Sequence, residues 1–184
     1  MLPRAQKHLA EACGISVGNL TYYYPKKEDL LMLEHDCIMH AFIEKALTKE
    51  YVLDGIYGYF SVECAFLHYI VNDSALGRLY RDVINIPSLR RRYCQAHYEL
   101  YCKFVSPVSR DAARLATAAM AGLEFELADE GLILDDAQPV LEKLLRSRLI
   151  FEGLEPAKYE DLIRRSAAKG IEISRSMPDS VKLL

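Results

Sequence analysis

The sequence predicts an all-helical protein. Apolar residues recur at three- and four-residue spacing in one segment after another, and strand-type alternation persists nowhere. Each such segment is also bounded by Gly, Pro, Ser or Asp, the residues that start and stop helices. The segments group into a short helix-turn-helix unit over residues 1–31 and a larger helical body over residues 32–184.

The first element starts near Ala5, where Ala10, Glu11 and Ala12 favour a helix and Gly14 supplies the conformational freedom to end it. Ser16 is placed to accept an amide hydrogen bond as the N-cap of a second, short helix, which Pro25 terminates. Helix, tight turn and short helix together make a helix-turn-helix, whose second helix enters the DNA major groove. The side chains suit that role. Ile15 and Leu20 hold the turn against the preceding helix, leaving Val17, Gly18, Asn19, Thr21, Tyr22 and Tyr23 to face outward. An amide such as Asn19 pairs with an adenine edge, Thr21 serves a base or a phosphate, and phenolic hydroxyls reach phosphate oxygens. Lys26 and Lys27 follow where backbone phosphates are expected, and with Ser16 they complete the candidate DNA-binding set.

The stretch AEACGISVGNLTYYYPKKEDLL resembles the DNA-binding signature of TetR-type bacterial transcriptional regulators. The matching positions are Ala12, Gly14, Ile15, Ser16, Gly18, Leu20, Tyr22, Tyr24, Lys27, Glu28 and Leu30. The resemblance covers residues 10–31 and implies a C-terminal all-helical domain that binds a ligand and dimerises. The family places one further helix before the one near Ala5, which Met1–Arg4 does not supply. The unit over residues 1–31 is therefore expected to be N-terminally incomplete and loosely packed.

Composition narrows the function further. With 184 residues, 51% of them apolar, the chain can bury a sizeable core. A formal net charge of −3 excludes an overall basic field, so contact with DNA must be local. Five cysteines without a CxxC pair suit reduced thiols. The most apolar run, Ile56 to Val71, is interrupted by Glu63 and His68 and falls short of the roughly 20 residues of a membrane span. With no signal-peptide pattern either, a soluble cytoplasmic protein with no membrane partner is expected.

Beyond the motif, a long helix is expected from Lys26 to about Thr48 with an apolar stripe through Leu30, Leu33, Cys37, Ile38, Ala41 and Phe42. In the resembling family this helix joins the DNA head to the regulatory body. His35, Cys37 and His40 do not share one helical face, and no metal site is expected. Lys49 to Asn72 reads as a second helix, Asp73 or Ser74 to Val83 as a short one, and Pro87 to about Val105 as the next. Arg90, Arg91 and Arg92 spread around that helix as solvated charge.

Polar groups among apolar ones on these central helices mark a candidate effector pocket. Its lining is Tyr57, Phe60, Cys64, His68, His97 and Tyr101, the Cys64/His68 and His97/Tyr101 pairs each one helical turn apart. Arg110 to Asp129 forms a smooth Ala-rich helix whose far end, with Glu124, Glu126, Asp129 and Glu130, reads as solvated. With no nucleophile, phosphate loop or metal spacing beside those acids, neither enzyme activity nor a cofactor is expected. Asp136 and Pro139 start a Leu-rich helix to Phe151, Pro156 opens a final amphipathic helix to about Ile173, and Met177 onward reads as frayed.

The resemblance implies that Ala113–Ala128 and Val140–Phe151 pair with their symmetry mates in a four-helix bundle. It also implies a ligand-responsive repressor acting as a homodimer on double-stranded operator DNA, with an unidentified small-molecule effector. The alternative is a remnant of such a regulator that senses a ligand or dimerises without binding DNA.

Overall fold

The computed structural model describes residues 10, 16–46, 55–72, 86–107, 109–129 and 136–177; the side chains of residues 27, 28, 30–34, 37, 38, 46 and 125–129 lie outside that description. Among the described residues seven α-helices follow one another: α1 (Val17–Tyr23), α2 (Lys27–Ala46), α3 (Gly55–Asn72), α4 (Pro87–Phe104), α5 (Arg110–Asp129), α6 (Ala137–Phe151) and α7 (Glu160–Arg175). A 3-10 turn over Pro156–Tyr159 leads into α7, so the proline opens a tighter turn before the α-helix that the sequence places there. No strand occurs among the described residues. The expected turn at Gly14, the first residues of the helix expected from Lys49, the helix after Asp73, the stretch 131–135 and the tail after Met177 lie outside the described residues.

The chain folds around α3. Every residue from Gly58 to Ile70 is buried, including Glu63 and His68, so this helix is covered on all sides. Helix α7 packs along much of its length, and α2, α4, α5 and α6 take the remaining sides. Small residues allow the α3–α7 approach: Ser61, Cys64 and Ala65 lie within 3 Å of where a Cβ on Gly170 would stand. Phe42 of α2 meets Phe66 and Tyr69 of α3 edge to face, with ring centroids 6.3 and 5.4 Å apart.

Capping fixes the helix ends. Ser109 Oγ accepts the Ala112 amide at 3.3 Å, and Pro87 occupies the first turn of α4, where a missing amide costs nothing. At the end of α6, Gly153 adopts φ +76°. Its amide donates to the Ile150 carbonyl at 2.9 Å, and the Leu154 amide donates to that of Leu149 at 2.8 Å. This pair of bonds satisfies the carbonyls that the helix end leaves open. Helices α5 and α6 pack on each other. Leu115 of α5 and Ile150 of α6 are nevertheless 65% and 62% exposed, and Leu123, Phe151 and Leu154 are exposed as well. No described helix is long and apolar enough to cross a membrane.

Candidate functional site

Helix α1 lies at the surface on a single buried anchor. Ser16 Oγ accepts the Asn19 amide at 3.0 Å, the N-cap bond its position calls for, and the Tyr24 amide closes the far end on the Leu20 carbonyl at 2.8 Å. Leu20 is buried; Ser16, Val17, Gly18 and Asn19 are exposed. Tyr22 and Tyr23 are 78% and 70% exposed, their rings edge to face at 5.1 Å. The Thr21 hydroxyl turns back to donate to the Val17 carbonyl of its own helix. Lys26 is exposed, and the Lys27 side chain lies outside the described residues.

A second arrangement lies inside the body, where α3, α4 and α5 each contribute a charged or titratable group. One ligand atom each of Glu63, His97 and Glu124 lies within 4.8 Å of the others, and all three residues are buried. His97 Nδ1 lies 3.0 and 3.2 Å from the two Glu63 oxygens. Its Nε2 lies 3.4 Å from Nε2 of His35 on α2, whose Nδ1 is 3.1 Å from Asp36 Oδ1. One proton arrangement satisfies all three contacts: His97 donates from both nitrogens, to Glu63 and to His35, and neutral His35 donates to Asp36. Tyr93 stacks on His97 at 4.1 Å and donates its hydroxyl to Glu124 Oε2 at 2.7 Å. Tyr59, one turn before Glu63, is hydrogen-bonded to its carboxylate.

Burial and partners set the charges. Burial disfavours ionised Glu63, but the charge and hydrogen bond of His97 prevail and hold its carboxyl below the usual range. Burial likewise opposes the His97 imidazolium, and Glu63 outweighs it, so His97 is raised. His35 is lowered, chiefly by burial. Glu124 has the opposite fate to Glu63: burial, then the neighbouring Glu63 charge, push it up to about 7. Two adjacent carboxyls in a dry site share a proton in this way.

Arg148 of α6 extends the buried network. Its Nε donates to Glu152, its Nη1 donates to Thr117 Oγ1 at 3.0 Å, and its guanidinium lies 4.7 and 5.3 Å from the ring centroids of Tyr101 and Tyr59. Burial and then the Glu152 carboxylate raise the Tyr101 phenol to about 12.

The six expected effector residues fall in different places. His97 joins the buried polar centre, and Tyr101 donates to Glu152 at 3.2 Å beside Arg148. Phe60 belongs to the apolar core, and Cys64 meets α7 at Gly170. Tyr57 carries the Arg165 guanidinium over its ring at 5.1 Å. His68 hydrogen-bonds Ser174 at 2.9 Å and borders a cleft of about 590 Å³ with Gln138, Ile171 and Arg175. Another cleft, about 620 Å³, is lined by Arg90, Arg91, Tyr98 and Arg114 between α4 and α5.

One expectation is overturned. Glu124 is not solvated but 6% exposed, because its position on α5 faces Tyr93 and Glu63 rather than the acidic helix end. Glu126 and Asp129 have side chains outside the described residues, as is all of Glu130. Glu63 and Arg148 escaped sequence reasoning. The signal was position: Glu63 interrupts the apolar run Ile56–Val71, and Arg148 adjoins Leu149 on the buried face of α6.

The buried carboxyl gives a pH-dependent stability. Glu124 rises from 4.5 to about 7 on folding, so between those values the folded chain holds a proton that the unfolded chain has released. Its contribution is complete below about pH 4.5 and is lost as pH rises through 7, on the order of 3 kcal/mol in all. Raised His97 acts in the same direction above 6.5, while lowered His35 and lowered Glu63 act oppositely at lower pH. The difference between the wild type and Glu124→Gln isolates the Glu124 share. Urea unfolding in EDTA-containing buffer should show the wild type losing stability relative to the variant from pH 5 to pH 8. Parallel profiles would mean that Glu124 is ionised in the folded protein.

No family model, curated protein or solved structure matches this chain.

Proposed function

We propose that the chain is a DNA-binding transcriptional regulator of the TetR type its sequence resembles, a homodimer that represses until a small effector binds. The observation that carries this is α1 itself: a capped short helix, fixed by Leu20, with Asn19, Tyr22 and Tyr23 directed away from the body. A helix meant for core packing would bury its rings instead. The homodimer is supported by the apolar stripe of Leu115, Ala118, Gly122 and Leu123 on α5, exposed beside Ile150 and Phe151 on α6. The clefts at His68 and at Arg114 have the volume of small-molecule sites. The link from body to head is supported by Arg92 of α4, which holds Asp29 near the start of α2 at 3.1 Å.

The test is a gel shift of the full-length protein on DNA from upstream of its own gene. A sequence-dependent shift is expected, lost in Asn19→Ala/Tyr22→Ala at unchanged helicity. Lys26→Ala should weaken all sequences alike and lower the salt slope by about one. Ile150→Glu should yield monomers and remove the shift. If the intact protein gives no retarded band at low salt, the proposal fails.

A further inference from the structure

We propose that Glu63, His97 and Glu124 bind one divalent transition-metal ion of the zinc class at the junction of α3, α4 and α5. Nitrogen and oxygen donors lie about 2.0–2.2 Å from such an ion, so donors sharing it stand roughly 3–4.4 Å apart. The three donor atoms here already lie within 4.8 Å of one another, on three separate helices, and need only a small inward movement.

The surroundings favour an ion as well as a hydrogen-bonded triad. With an ion bound, His97 would offer its Nδ1 lone pair and keep its Nε2 proton for His35, whose own Nδ1 donates to Asp36. That chain fixes the ring and its tautomer, as outer partners of ligating histidines commonly do. Tyr93 holds one oxygen of Glu124, and Tyr59 is hydrogen-bonded to Glu63, so both carboxylates are oriented from behind. Charge also balances: the two carboxylates neutralise a dication, and His97 binds it as a neutral imidazole. That balance matters where uncompensated charge is costly.

The donor set selects the ion. One imidazole and two carboxylates suit zinc, manganese, iron, cobalt or nickel, whereas calcium requires six or more oxygens. A cleft of about 260 Å³ between α2 and α4 is lined by His35, Asp36 and Glu99, and His35 in turn lies 3.4 Å from His97.

This inference does not rest on DNA binding, and its test contains no DNA. Full-length protein is dialysed against EDTA, freed of chelator and titrated with ZnCl2 by calorimetry, with metal content measured after gel filtration. About one ion per chain and a raised melting temperature are expected. Glu63→Gln, Glu124→Gln and His97→Gln should each lower affinity more than about tenfold. Cys102→Ser and His40→Gln, which remove surface donors, should leave it unchanged. A second readout covers any variant that fails to fold: CoCl2 bound to the wild type should give visible d–d bands without a thiolate charge-transfer band. Failure to retain an ion, retention unaffected by all three core substitutions, or a thiolate band would overturn the assignment.

Discussion

Gly170→Ala is expected to destabilise the protein by about 3 kcal/mol or more, a large effect for a single methyl group. A Cβ at this position would lie 2.4 Å from Cys64 Cβ, 2.8 Å from the Ala65 nitrogen and 2.9 Å from the Ser61 carbonyl oxygen. Two of these three atoms belong to the backbone of α3, so no rotamer change can make room. The helices must separate, and separation opens gaps along a contact that includes Ile163, Ala167 and Ile173, all fully buried. Trimming the nearest neighbour does not restore the contact. Cys64→Gly combined with Gly170→Ala should recover only part of the loss, since the Ala65 and Ser61 backbone atoms stay in place. Urea unfolding followed by circular dichroism measures both variants. A change below about 0.5 kcal/mol would mean that α3 and α7 do not approach so closely.

The helices themselves were legible because local chemistry and global packing agree in them. Ser16, Pro87 and Pro156 stand at helix starts in the structure as they do in the sequence pattern, and the 3.6-residue apolar period follows the buried faces. Gly170 was less legible, although a glycine inside a helical pattern costs about 1 kcal/mol in propensity and so hints at close packing. What the pattern does not contain is which polar side chains meet. Glu63, His97, Glu124 and Arg148 are separated by tens of residues and come together only when four helices close around them. A glutamate on an Ala-rich helix has the sequence signature of solvated charge whether or not it is buried. The same reason scatters the expected effector residues: Cys64 and His68 share a face of α3, yet one meets Gly170 while the other borders a cleft. One-turn spacing fixes a shared face and leaves open what covers it.

Arg148→Ala is expected to cost about 3–5 kcal/mol, the range for removing one partner of a buried ion pair. Arg148 is 1% exposed, and its charge is met by Glu152, whose side chain is only 10% exposed. Truncation takes the cation from the Tyr59 and Tyr101 rings and leaves the carboxylate with the Tyr101 hydroxyl as its remaining described donor. It also opens a void between α5 and α6. Thr117 loses less, since its hydroxyl still donates to the Ala113 carbonyl at 2.8 Å. Two further variants separate charge from packing. Arg148→Lys keeps the charge but lacks the planar fork that reaches Glu152 and Thr117 together, and should recover less than half of the loss. Arg148→Met with Glu152→Gln removes both charges and fills the space, and should recover most of it. The coupling of positions 148 and 152 in a double-mutant cycle, read from urea midpoints, then measures the ion pair itself. If the double variant is as unstable as Arg148→Ala, the guanidinium contributes mainly through its contacts with the two tyrosine rings, and a neutral chain of similar volume cannot replace it.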